Sequence, residues 1–112
     1  MNIPYQLIDW TLVPVVIYPG ATGHSLWQTI QFPGLRIRMV EYSKGYFADH
    51  WCQTGHLVLC LEGELIAEME SGEKYVLKPG MSYIVSDHNS SHRSVTEQSV
   101  KLYIIDGDFL KQ

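Results

Sequence analysis

The feature that most constrains this chain is its punctuation. Turn signals recur at intervals of roughly 8–12 residues: Pro33-Gly34, Ser43-Lys44-Gly45, Glu62-Gly63, Ser71-Gly72 and Pro79-Gly80. Between them no helical period persists for three turns, and the intervening stretches have strand length. Leu35–Tyr42 (LRIRMVEY) opens with apolar and charged residues in alternation and is rich in types that suit a pleated surface. Residues 46–52 read as a further strand, residues 56–61 as an apolar one, and Leu65–Met69 as the next. Shorter strands are expected around 75–77, 81–85, His92–Val95 and 100–105. This rhythm predicts an all-β sandwich or barrel. Residues 2–19 carry Pro4, Pro14 and Pro19, which suits an edge strand or an arm better than a central strand.

Composition narrows the classes. The chain has 112 residues, the length of one domain, and 46% apolar residues, enough for a core without staples. We expect residues 1–112 to form one domain, with an arm or edge strand over 1–20 and a core barrel over 35–105. The net charge is −4 and the eight Lys and Arg residues are scattered. Without a basic stripe, nucleic acid and membrane surfaces are not expected partners. No stretch approaches the ~20 apolar residues that span a bilayer, and the N-terminus lacks the basic lead of a signal peptide. Two cysteines are too few for a disulfide framework. The expected setting is a reducing cytoplasm, with Cys60 a small buried hydrophobe in its apolar run.

His50, Cys52 and His56 share strand parity. Side chains two apart in a strand point the same way, about 6.6 Å from one another, and the Gln53-Thr54-Gly55 interruption can bend the chain between the last two. Imidazole and thiol donors on one face suit a transition metal rather than Mg²⁺ or Ca²⁺. Parity alone is equally compatible with polar residues at a wet barrel mouth.

The same segment resembles a known motif. Residues 45–63 (GYFADHWCQTGHLVLCLEG) are similar to the first cupin motif, which runs glycine, His-x-His, three or four residues, glutamate, six residues, glycine. Counted back from Gly63, the glutamate place falls on His56, the second histidine place on Cys52 and the first on His50. The second motif starts at Gly80, and its proline, glycine and histidine places fall on Ser86, His88 and Ser91. His92 lies one residue late, which a one-residue loop extension absorbs, and His88 lies three early. More narrowly, Asp49-His50-Trp51-Cys52, with GYFADHWCQTGH around it and His92-Arg93-Ser94 beyond, resembles the small bacterial cupins named for an Asp-His-Cys-Trp motif, a group with no settled activity. The resemblance covers under half of the chain.

The resemblance implies a jelly-roll barrel holding one divalent ion on His50, Cys52, His56 and His92. The thiolate would replace the usual glutamate as the one anionic ligand and tilt metal choice toward Zn²⁺, Fe²⁺ or Ni²⁺. If Cys52 turns away, three histidines remain, the ligand set of cupin thiol dioxygenases. The implied function is a metal-binding cupin acting on a small molecule, of dioxygenase type. The alternatives are a non-catalytic module that binds or senses a metal or small ligand, and a metal-free structural cupin. No general base stands out beyond the ligands.

Of the remaining residues, Arg36 and Arg38 are expected on an outward, solvated face, although either could meet a substrate carboxylate. Tyr42, Tyr46 and Tyr83 read as core or interface aromatics. Trp51 and Asp49 have the opposite parity to the ligand candidates, His24 reads as a surface or loop residue, and Arg93 as either a supporting group or a surface charge. The apolar Leu12, Val13, Val15, Val16 and Ile17, with an outward Trp51, suggest a homodimer.

Overall fold

A computed structural model describes residues 2–111. Among the described residues nine strands form two antiparallel sheets. In chain order they are β1 (Val16–Pro19), β2 (His24–Phe32), β3 (Leu35–Tyr42), β4 (His56–Glu62), β5 (Leu65–Met69), β6 (Lys74–Leu77), β7 (Ser82–Val85), β8 (His92–Val95) and β9 (Val100–Gly107). One sheet has the order β1-β2-β3-β9-β4-β7 and the other β6-β5-β8. Neighbours far apart in sequence, such as β3 with β9, are the crossovers of a jelly roll. The helical segments among the described residues are two short 3₁₀ turns, Trp10–Leu12 and Asp108–Leu110. None is long and apolar enough to cross a membrane.

The core lies between the sheets and follows period-2 alternation. Val100, Leu102, Ile104 and Asp106 of β9 are buried while their neighbours are half-covered, and Arg38, Val40 and Tyr42 of β3 face the same interior. Val58 and Cys60 of β4 and Leu65 and Ala67 of β5 complete that layer. Gly63 turns β4 into β5 at φ +77°, where a side chain would collide with the Ser99 carbonyl, so the position requires glycine.

Three expectations change. Residues 46–52 are not a strand: the segment touches its neighbours through isolated bridges at Phe47 and Cys52, and residues 49–51 bow away from the sheet between them. His24–Phe32 is a strand that the turn pattern did not mark, because its polar Gln28, Thr29 and Gln31 break the apolar alternation. Gln28 belongs there because its amide donates to the carbonyls of Trp10 and Val13 and ties the N-terminal segment down. Arg36 and Arg38 are not on an outward face. The side of β3 they share with Val40 and Tyr42 is the interior, and the other side also carries apolar Ile37 and Met39. That outer side is not bare: Trp10 sets its ring edge-on to Tyr103, 6.0 Å away, on the neighbouring strand. With apolar residues on both faces, alternation in this strand could not tell inside from outside.

Residues 2–19 contain the first 3₁₀ turn and β1. The 3₁₀ turn lies along the large sheet, and β1 is its outer strand.

Candidate metal centre

Three elements bring three donors to one point inside the barrel. Cys52 is held by reciprocal backbone hydrogen bonds to His92, 2.7 and 3.0 Å, so those two side chains leave adjacent positions. His92 opens β8 and His56 opens β4 in the opposite sheet. Gly55 precedes His56 because a Cβ there would strike the Val85 carbonyl, 2.6 Å away. The candidate ligand atoms of Cys52, His56 and His92 all lie within 4.8 Å of one another.

The hydrogen bonds of the two imidazoles fix which nitrogen faces the cluster. His92 Nδ1 lies 3.0 Å from the Ser90 carbonyl, which can only accept, so Nδ1 carries the proton. Its Nε2 is buried without a hydrogen-bond partner, and the residue is 4% exposed. His56 Nδ1 lies 3.1 Å from Asp106 Oδ2 and donates to it, while Nε2 lies 3.6 Å from Cys52 Sγ. The His56 side chain is 11% exposed.

Charge follows geometry. Burial pushes the Cys52 thiol up, but the imidazoles of His56 and then of nearby His92, and then the Thr54 backbone, outweigh it and bring its pKa down to about 5. Burial pulls His56 down, and its bonds to Asp106 and Cys52 more than restore it, so its pKa is raised. The metal-free pair therefore leans toward thiolate and imidazolium, with a proton lying where a cation could sit. Asp106 is also pushed up by burial, but His56, then Arg36, and the charge of Arg38 hold its carboxyl well below the usual carboxylate range.

The residues fit a metal ion. One thiolate and two imidazoles are a soft-to-borderline donor set. A buried imidazole lone pair with nothing to accept is a cost that a cation removes. Three protein donors leave coordination positions open, as catalytic sites do and closed structural sites do not. The Asp106–His56 contact is the carboxylate–imidazole support that orients metal-binding histidines.

His50 stands apart from this group. Its side chain is 75% exposed and its Nδ1 lies 2.6 Å from Asp49 Oδ1, at the rim of the same cavity. Parity placed it with Cys52, but the chain at residues 49–51 is not extended strand, so parity does not carry across it. His88 is outside, at φ +59°, with Nδ1 3.2 Å from Gln53 Oε1. Cys60 is buried in the core and His24 is exposed at the start of β2. Arg93 bonds Glu68 at 2.8 Å and stacks on Trp51 and Phe47, with its carbon 4.1 and 4.4 Å from the ring centroids.

The cavity beside the cluster holds about 240 Å³, walled by Trp27, Tyr42, Tyr46, Tyr83, Leu102 and Ile104 together with arginines. Asp106 is the functional residue that sequence reasoning missed. An acid at the fourth inward place of Val100, Leu102, Ile104, Asp106 was a visible signal, but its partners lie 50 and 70 residues away.

No family model matches the chain, and no curated protein does. Solved structures do. The polyketide cyclase RemF from Streptomyces resistomycificus superimposes with a TM-score of 0.76 at 17% identity, covering 93% of this chain and 80% of that one. An RmlC-like cupin from Shewanella frigidimarina gives 0.71 at 20% identity, over 96% and 94%. Fe(II)-HppE with the alternative substrate (S)-1-HPP gives 0.75 at 15% identity, over 91% of this chain and 60% of that one. With its two antiparallel sheets, the chain shares the jelly-roll fold of these cupin structures.

Proposed function

We propose that Cys52, His56 and His92 hold one divalent transition metal, Zn²⁺, Fe²⁺ or Ni²⁺, and that the centre serves oxygen chemistry on a small organic molecule. The observation that carries this reading is the buried, unpartnered Nε2 of His92 beside Cys52 and His56. His50 is the outlying fourth candidate, able to join only if its ring leaves Asp49. A bound Fe²⁺ would supply Lewis-acid and one-electron chemistry that no side chain here can. The chain's own residues do the rest. Asp106 orients His56, the aromatic walls limit water, and Tyr83, half-buried beside His92 at 6.0 Å between ring centroids, narrows access from that side. Similarity in fold to a protein that holds Fe(II) supports iron among the three metals.

One observation favours a second reading, a binding or sensing module. Both oxygens of Asp106 are occupied by donors and its carboxyl is held strongly acidic, so it is not a base near neutral pH. We further read the chain as one domain, cytoplasmic, and half of a homodimer. Its two free cysteines and the exposed apolar residues of β1 support the last two.

Elemental analysis of protein purified without added metal or chelator tests the centre. About one transition-metal ion per chain is expected, falling at least ~10-fold in affinity for Cys52→Ser. His50→Ala should stay close to the parent; a loss as large as that of Cys52→Ser would bring His50 into the coordination. Parent protein that takes up no metal even when supplied with it would sink the proposal. Oxygen uptake by Fe²⁺-loaded protein over a panel of small organic molecules separates the two readings: none consumed, with metal bound, selects the binding module.

A further inference from the structure

The cavity beside the cluster has more cationic donors than acceptors. Asp106 receives Arg36 Nε at 2.9 Å and Arg36 Nη2 at 2.8 Å, Arg38 Nη2 at 3.0 Å and His56 Nδ1 at 3.1 Å. A carboxylate offers about four lone-pair sites, so Asp106 is full. Arg38 is only 4% exposed, and of its five N–H donors the bond to Asp106 is the one matched among the described residues. Its Nε is buried with no partner. Two guanidinium groups on one carboxylate leave one positive charge over, inside a protein, where unmatched charge is costly. Burial, and then the neighbouring Arg36 charge, draw the Arg38 pKa below its ordinary value, in keeping with that surplus.

The surplus is held in place. The Arg38 guanidinium carbon sits 4.4 Å from the centre of the Trp27 ring, a cation–π contact that holds the group against the wall. Beside these polar groups the cavity is lined by Leu102, Ile104 and the rings of Trp27, Tyr42, Tyr46 and Tyr83. A cationic fork opening on a partly apolar chamber of about 240 Å³ suits a short molecule with one anionic end. That volume lies below the roughly 300–1,000 Å³ of sites for drug-sized ligands.

We propose that this cavity binds a small monocarboxylic acid, its carboxylate received by Arg38 and its organic part lying against Leu102 and Ile104 beside Cys52, His56 and His92. A monoanion matches the single surplus charge, and a planar carboxylate matches the guanidinium fork. The apolar wall accommodates carbon, which inorganic phosphate or sulfate does not present. The assignment deepens the metal-site reading and rests on it only for the claim that the acid lies beside an ion.

The test is a titration of the full chain with propionate, followed through the arginine Nε–H signals in proton–nitrogen correlation spectra. It is run on protein as purified and after chelator treatment, with metal content measured in each sample. Propionate should shift one arginine Nε–H saturably in both samples, and neutral propionamide should not. Arg38→Lys keeps a cation for Asp106 but loses the fork, and should remove that signal and weaken propionate binding at least about tenfold, the loss of one charge-assisted hydrogen bond. Propionamide acting as strongly as propionate, sulfate binding more tightly than propionate, or equal binding by Arg38→Lys would each overturn the proposal. So would the absence of any saturable shift in the parent, a result that stands by itself should Arg38→Lys not fold. Metal bound with no propionate effect defeats this assignment alone, and propionate bound by protein that never takes up metal defeats the metal reading alone.

Discussion

The Nδ1 atom of His56 and the Oδ2 atom of Asp106, 3.1 Å apart, join the donor cluster to two arginines, because the same carboxylate also binds Arg36 and Arg38. One aspartate thus orients a candidate ligand and neutralises part of the cavity wall. Replacing it by asparagine keeps the shape and removes both effects.

Asp106→Asn should bind metal about 10–100-fold more weakly than the parent, the usual cost of losing a carboxylate behind a ligating histidine. Competition against a chromophoric chelator measures this directly. Affinity equal to the parent's would show that His56 needs no such support.

The same substitution should flatten the acid limb of stability. Folding holds the Asp106 carboxyl well below the ~3.9 of a free aspartate, because His56, Arg36 and Arg38 outweigh the opposing effect of burial. Its contribution is therefore complete above about pH 4 and is lost as the pH falls below that value, on the order of 2–3 kcal/mol for a carboxylate displaced this way. Urea denaturation at pH 7 and pH 3 should show a larger loss for the parent than for Asp106→Asn. Equal losses would mean that the buried pairs contribute nothing to acid sensitivity.

Metal-free protein should be alkylated at Cys52 and not at Cys60. Cys52 is half-exposed and its thiol is brought down to about 5, whereas Cys60 is buried and burial raises it. The thiolate fraction rises as pH rises through the pKa. Iodoacetamide labelling followed by mass spectrometry should therefore reach its plateau by neutral pH instead of climbing through pH 8–9. Bound metal should suppress it. An inflection near the ~8.5 of an ordinary cysteine would refute the His56–Cys52 pairing.

Pairing of two chains should run through the outer edge of the large sheet. Ile17 on β1 is 65% exposed, flanked by exposed Val16 and Tyr18, and an apolar edge strand invites a partner. Sedimentation should give twice the 12.8 kDa chain mass, and Ile17→Lys should return the monomer. A parent that sediments as a monomer at micromolar concentration rules this out.

The strands were legible where turns bound them and one face was apolar: Leu35–Tyr42, Leu65–Met69 and His92–Val95 have the bounds expected. β2 was not, because its Gln28 serves the N-terminal segment and interrupts the alternation. At the centre, motif spacing pointed to His50, Cys52, His56 and, allowing one extra loop residue, His92, and the last three do meet. His50 was grouped with them on strand parity, and parity requires an extended chain that residues 49–51 do not form. Asp106 was missed and Arg38 was placed on the wrong face, because their pairing joins β3 to β9 across 68 residues.

His56 belongs to the six-stranded sheet and His92 to the three-stranded one, so an ion bound to both is also a clasp between layers. Separating the sheets would then require breaking coordinate bonds as well as unpacking side chains. Loading would be felt mechanically in β8, whose amides should exchange with solvent more slowly when the clasp is closed. The small sheet has only three strands, so occupancy of the centre would set how long it stays shut against its larger neighbour.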